Sequence, residues 1–355
     1  MLSVFFLGGS LICIFHTPED ISLSERRALA QMPKLSWKGI LSGEVIDGFE
    51  DYTLDQFPGR DYLRRIKAML QFGLFAQKDN NGIYIVDGMV FKIEYPMREN
   101  SILNAAKKFN SLYETYMKDK DINAYYAIIP DKNYFVAEEN GYPALDYDRL
   151  ISIMNENVEH LTYIDIFDCL DISDYYATDT HWSQDKLGEV VKKISSEMGF
   201  YDRLSGEYTK RQFSPFYGVY YGQAALPMPA DTLVYLTNDT IESCTVYNLE
   251  TGKTTGVYNL DALASSDPYD VFLSGAAAFL TIDNPNAATD KELIIFRDSF
   301  GSSITPLFLE AYSRVTVVDI RYVHSSLLGQ LIDFGGQDIL FLYCTSVLNN
   351  SSMLK

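Results

Sequence analysis

The sequence predicts an α/β fold, a three-layer α/β/α sandwich built on a mostly parallel sheet. Two observations carry this. Short buried-strand patterns alternate with amphipathic helical patterns from residue 101 onward, and such alternation requires helices on both faces of a parallel sheet. The 355 residues are 47% hydrophobic and 14% aromatic, enough apolar material for a full core.

The elements follow in order. Residues 1–16, "MLSVFFLGGSLICIFH", hold an uncharged apolar run. It is short for a membrane span, which needs about 20 residues, and fits a signal peptide or the remnant of a membrane anchor. A buried strand or helix is the other reading. Residues 17–60 are polar and read as an irregular arm or stalk. From 61 to 348 the chain reads as one main domain. "RDYLRRIKAMLQFGLFAQ" (60–77) has Leu63, Ile66, Met69, Leu70 and Leu74 at helical spacing. Asp87-Gly88 between two apolar runs signals a hairpin over 83–93.

The alternating part follows. Helices are expected over 101–118 and 147–158, with strands at 123–130 and 161–167. A helix over 183–200 takes Ser183 as its N-cap and buries Leu187, Val190, Val191 and Ile194. Residues 205–270, rich in Tyr, Thr and Gly, read as a β-rich insertion. Strands then recur at 276–282, 292–296, 314–320 and 338–343, with helices reaching Tyr312 and spanning 325–333.

Charge and motifs narrow the function. With 29 basic and 48 acidic residues the net charge is -19, and there is no Lys/Arg stripe, which argues against a nucleic-acid partner. Cys13, Cys169, Cys244 and Cys344 form no C-x-x-C pair and read as buried free thiols. No metal-binding or nucleotide-binding motif is present, so neither metal nor cofactor is expected.

Two stretches carry candidate chemistry. In "ELIIFRDSFGSSITPLF" (292–308) a buried strand runs into a tight turn, and Ser299 stands at the start of the helix beyond it. Ligands gather at the carboxyl ends of strands in such sheets, and free amides at a helix start can stabilise an oxyanion. A serine needs a general base, and the base needs an orienting acceptor. Asp179-Thr180-His181, in "YYATDTHWSQDKLGEVV" (175–191), supplies both. Triads are defined by geometry, so the long separation is no obstacle. The bland alternatives are an N-cap serine and a loop hydrogen bond. Trp182 reads as a packing residue or a sugar-stacking platform. Arg321 reads as a partner of Asp319 or Asp298, or as an anion-binding group. Tyr175 and Tyr176 are candidates for lining a cleft.

"TDTHWS" followed much later by "RDSFGSSITP" resembles the DHHW-type family of exported bacterial proteins, which is related to the alginate O-acetyltransferases within the SGNH hydrolase-like superfamily. The likeness extends over roughly residues 55–345 and includes the reversed order of the two blocks. It implies an SGNH-like fold with Ser299 as nucleophile, His181 as base and Asp179 as its partner. Thr180 stands where the family name has histidine, which matches the alginate-type block. The resemblance further implies an extracytoplasmic O-acetyltransferase or esterase acting on an envelope polysaccharide or other glycan, with a membrane acyltransferase as a partner supplying acetyl groups. The asparagine that SGNH enzymes use as an oxyanion donor has no counterpart after Gly275. Its replacements would be the turn amides up to Gly301, Gly275 itself, Arg297 or Tyr322. The missing asparagine also leaves open a catalytically inactive glycan-binding or assembly module.

Overall fold

The structure, a computed structural model, describes residues 17–22 and 24–355. The apolar segment 1–16 lies outside the described residues. Among those described, no helix is long and apolar enough to cross a membrane. The chain divides into two compact units, one of residues up to Val90 with Val219–Pro229, the other of Phe91–Gly218 with Ala230–Lys355.

The first unit corrects the expectation of an irregular arm over 17–60. That segment contains helices Trp37–Ser42 and Glu44–Asp55, and a third helix follows at Arg60–Met69. Ser36 caps the first by accepting the Gly39 amide at 3.1 Å. Gly43, at φ +87°, both ends that helix and starts the next, a conformation glycine adopts without a Cβ clash. The breaks hid the helical period from the sequence. Gly222 packs so closely on the Ser24 carbonyl that any Cβ would overlap it. The predicted hairpin is present as strands Ile83–Val86 and Met89–Lys92.

The second unit is built on an eight-stranded sheet. Its strands are β1 (Asn123–Ile129), β2 (Thr162–Ile164), β3 (Thr245–Asn248), β4 (Lys253–Thr255), β5 (Phe279–Asp283), β6 (Glu292–Arg297), β7 (Arg314–Val318) and β8 (Asp338–Cys344). Their spatial order is β4-β3-β5-β7-β6-β8-β1-β2. The five strands from β7 to β2 run parallel, and β4, β3 and β5 add antiparallel pairings. The α/β class and mostly parallel sheet are therefore as the alternating pattern predicts.

Helices α1 (Glu99–Leu112) and α2 (Tyr147–Asn157) cover one face of the sheet. Phe109 of α1 packs on Phe341 and Tyr343 of β8, and the Tyr126 hydroxyl of β1 bonds Asn155 of α2 at 2.5 Å. Helix α3 (Gly188–Glu197) buries Val190, Val191 and Ile194 as its spacing predicts, with Leu187 buried just before it. It starts later than expected. A 3₁₀ turn occupies Gln184–Lys186, and the Ser183 hydroxyl bonds Asp185 (2.7 Å) and Tyr176 (3.2 Å) instead of capping a helix amide.

Residues 205–270 hold four strands. Thr209–Phe216 and Asp231–Thr237 pair as a separate antiparallel sheet, while β3 and β4 extend the main sheet at its edge. Cys169, Cys244 and Cys344 are free thiols.

Candidate active site

The carboxyl edge of the parallel strands gathers the chemistry. β6 ends at Arg297 and leads through Asp298 into helix α4 (Ser299–Ile304). Its neighbour β7 leads to Asp319, Arg321 and Tyr322, β1 leads to Lys132, and the loop after β2 carries Asp179 and His181. This is the edge at which open α/β sheets place ligands.

Asp298 is the N-cap of α4, accepting the Phe300 amide at 3.0 Å, and its other oxygen takes the Cys344 amide of the adjacent strand end at 2.7 Å. Gly301 allows the helix to sit on Arg297, whose side-chain carbons would stand 2.5–2.9 Å from an added Cβ. These contacts fix Ser299 on a rigid turn, half-buried and with its hydroxyl facing the loop that carries His181.

The two sequence blocks meet. Asp179, 1% exposed, has Oδ1 2.6 Å from His181 Nδ1, and the same oxygen accepts the His181 amide at 3.0 Å. A carboxylate can only accept, so Nδ1 carries the proton and Nε2 is left as an acceptor. His181 Nε2 lies 2.8 Å from Ser299 Oγ. The His181 side chain is 12% exposed, open on one side to an incoming molecule.

Several supports were not visible in the sequence. The Tyr269 ring stacks on His181 at 3.9 Å between centroids and 9° between planes, and Phe300 flanks the imidazole at 4.8 Å. The Tyr269 hydroxyl donates to Ser303 Oγ (2.8 Å), which also accepts Trp182 Nε1–H (2.8 Å) and donates to the Phe300 carbonyl (3.2 Å). Burial raises the Tyr269 phenol well above its ordinary value, so it stays a neutral donor. Gln184 ties the Ser303 carbonyl (2.6 Å) to the Leu236 amide (2.6 Å). Asp231 accepts the amides of Ala177 and Thr178, both at 2.8 Å, and the Thr178 hydroxyl at 2.6 Å. Gly218 closes against the Asp179 side chain, where any Cβ would clash at 2.3 Å. The nearest signal in the sequence was the family resemblance over roughly residues 55–345, which includes this stretch without giving Tyr269 a role.

The other residues singled out in the sequence have structural partners. Trp182 is 0% exposed, so it cannot stack on a sugar; it packs edge-on against Phe300 at 5.3 Å. Tyr175 and Tyr176 are buried too, with the Tyr175 hydroxyl on the Pro130 carbonyl (2.7 Å). Arg321 pairs with Asp319, Nη2 to Oδ2 at 2.6 Å and Nε to Oδ1 at 2.9 Å. Arg297 is wholly buried, 3.6 Å from Asp319, with Nη2 on the Gly275 carbonyl at 3.2 Å. Burial pushes its guanidinium below its ordinary value, and Asp319 opposes that shift.

The candidate oxyanion donors are narrowed in the same way. The Gly301 amide is taken by the Asp298 carbonyl (3.1 Å), the Phe300 amide by the Asp298 carboxylate, and the Gly275 amide by the Phe272 carbonyl (3.1 Å). Tyr322 is 50% exposed beside Arg321. Of the candidate donors, the Ser299 amide, the Tyr322 hydroxyl and the buried Nε of Arg297 are the ones without such a protein acceptor among the described residues.

No protein-family model matches the sequence, and no curated protein matches it. Solved structures do match the fold. A DHHW family protein from Eubacterium siraeum superposes with a TM-score of 0.62 at 19% identity, over 78% of this chain and 95% of that one. Bacillus cereus PatB1, solved with a sulfonyl adduct, gives a TM-score of 0.59 at 19% identity, over 75% of this chain and 95% of its own. The O-acetyltransferase domain of Pseudomonas putida AlgJ gives 0.44 at 12% identity, over 76% of this chain and 93% of that domain. The fold is thus shared with a DHHW family protein, the family that the two sequence blocks resemble.

Proposed function

We propose that the chain is a serine-dependent acyl-transfer enzyme, an O-acetyltransferase or esterase of a cell-envelope glycan, working outside the cytoplasm on an SGNH hydrolase-like three-layer scaffold. The observation that carries this is the continuous line of hydrogen bonds from Asp179 through His181 to Ser299, at 2.6 and 2.8 Å. A purely structural histidine has no need of a buried carboxylate on one nitrogen and a half-buried serine hydroxyl on the other.

The mechanism follows from that line. Ser299 Oγ attacks the acyl carbonyl carbon while His181 Nε2 takes its proton, and Asp179 stabilises the resulting imidazolium. The tetrahedral oxyanion takes the Ser299 amide as donor, and Tyr322, which follows β7 beyond the carboxyl edge, is the candidate second donor. Collapse breaks the bond to the leaving alcohol, which recovers the proton from His181 and leaves an acyl-serine. A glycan hydroxyl or water then attacks the acyl carbon with His181 again as base, the acyl–Oγ bond breaks, and Ser299 regains its proton from His181, giving transfer or hydrolysis. The acetyl group, the glycan acceptor and a membrane acyltransferase as donor are proposed from the resemblance of the two sequence blocks. The sulfonyl adduct of Bacillus cereus PatB1 supports the reading chemically, because sulfonyl groups are captured by activated nucleophiles.

The rival is an inactive glycan-binding or assembly module, favoured by the missing asparagine and by the engaged amides of Phe300 and Gly301. Turnover of p-nitrophenyl acetate separates the two. The enzyme reading expects Ser299→Ala to lower kcat by at least about 10³-fold, and mass spectrometry of the wild type to find an acetyl group on Ser299. Equal background rates from wild type and variant would overturn it.

A further inference from the structure

Lys132 is one of the most deeply buried cations of the second unit, 3% exposed, and the chemistry above does not use it. It stands just past the end of β1. Its Nζ donates to the carbonyls of Tyr176 at 2.8 Å, Ala177 at 3.2 Å and Asp179 at 3.1 Å. The Phe91 ring lies 4.8 Å from the same nitrogen. An ammonium has three N–H donors at tetrahedral angles, and here each has a carbonyl of a single loop. That loop delivers Asp179 and, two residues on, His181. On its amide side the same loop is held by Asp231. A cation therefore gathers the carbonyls and an anion gathers the amides of one short, irregular segment.

Burying an ammonium is costly, and an apolar residue of similar volume is often as stable or more so. Packing alone does not account for a lysine here. We infer that Lys132 is a positioning residue for the base: its ammonium fixes the backbone of residues 176–179 so that Asp179 and His181 stay in line with Ser299. This rests on the function proposed above and assigns it a residue that neither sequence block contains.

The test uses the full chain and readouts that packing would not move. Lys132→Met keeps the apolar stem and removes all three donors. Labelling of Ser299 by phenylmethylsulfonyl fluoride should slow by about 10- to 100-fold, the scale expected when reacting groups shift by about 1 Å. In proton NMR, the downfield imidazole N–H of the Asp179–His181 bond should broaden or vanish. In Lys132→Ala, folded with propylammonium present, labelling should recover with saturation, because that ion replaces the missing side chain and its charge. The neutral 1-propanol, of the same length, should fail. Labelling at the wild-type rate with the imidazole signal intact in Lys132→Met would overturn the inference, as would rescue by 1-propanol as well as by propylammonium. If wild-type Ser299 itself does not label, the proposed function falls, and the imidazole signal still decides whether Lys132 positions the base.

Discussion

The two halves of the candidate site are held in different ways. Ser299 follows β6, which lies between two parallel partners, and its turn is fixed by one N-cap residue that also reaches the next strand. Almost everything that positions it lies within a few residues or in the regular ladder of the sheet. His181 stands on a loop with little regular structure, closed by the bridge between Tyr175 and Trp182 and the bond from the Tyr176 amide to the His181 carbonyl. Its position depends on side chains far away in sequence: Lys132, Asp231, Tyr269 and Ser303. A nucleophile can be placed by secondary structure alone. Under the proposed chemistry the base must also change charge, which needs fixed partners around its ring, and this chain draws them from several elements. Damage to the base loop should therefore grade in severity with the partner removed, whereas the nucleophile turn should fail all at once.

The largest effect on the base side is expected from Asp179→Asn. The amide oxygen can still accept both the His181 ring N–H and its backbone N–H, because one oxygen takes both in the native structure. The ring stays oriented, but the negative charge that stabilises the imidazolium is gone. We expect kcat to fall by roughly 10³-fold with little change in KM, measured on p-nitrophenyl acetate beside Ser299→Ala. A loss of less than about tenfold would mean that orientation, not charge, is what Asp179 contributes. The base loop would then be held by geometry alone, as the nucleophile turn is.

The same contrast explains what was legible in the sequence. Strand β6, the turn and Ser299 were readable because a buried apolar run, an Asp-Ser pair and a helix start are adjacent in the chain. The Asp179–His181 pair was readable through its spacing and its resemblance to a family block. Its supports were not. Lys132 is a lone lysine after a strand, and Tyr269 is one of 26 tyrosines. Nothing local marks either, because their roles arise when separate strand ends converge. Trp182 shows the same limit. Its two readings, packing residue and sugar platform, cannot be told apart locally, and its N–H is taken by Ser303 inside the core. The helices within residues 17–60 were hidden by glycine at their junction and by weak apolar spacing. The fate of β3 and β4 depended on a long-range pairing with β5 that local pattern does not encode.

Tyr269→Phe should give a smaller loss and sharpen the comparison. It keeps the stacked ring and removes only the tether to Ser303, whose hydroxyl still receives Trp182. A net hydrogen bond of this kind contributes about 0.5–1.5 kcal/mol. We expect a kcat three- to tenfold lower, on the order of that free energy, and a melting temperature a few degrees lower. If kcat is unchanged while stability falls, the stacked ring alone holds the imidazole, and Ser303 belongs to the core and not to the site.

The last effect is read on stability and not on turnover, and it tests whether the cation under the base loop keeps its proton in the folded chain. Burial pushes the Lys132 ammonium down to about 7, although the facing carboxylates Asp179 and Asp231 pull it up. In the unfolded chain the same group titrates near its ordinary 10.5. Between those values the unfolded chain holds a proton that the folded chain has released, so this group makes folding stability rise with pH across that window and leaves it flat below about pH 7. Lys132→Met lacks the group. Urea unfolding of wild type and variant at about pH 7 and about pH 10 isolates it, because every other titrating residue is common to both proteins. Wild-type stability should gain on that of the variant as pH rises, by an amount bounded by the release of one proton. A flat difference would show that the three carbonyls and the facing carboxylates keep the ammonium charged in the folded chain against the push of burial.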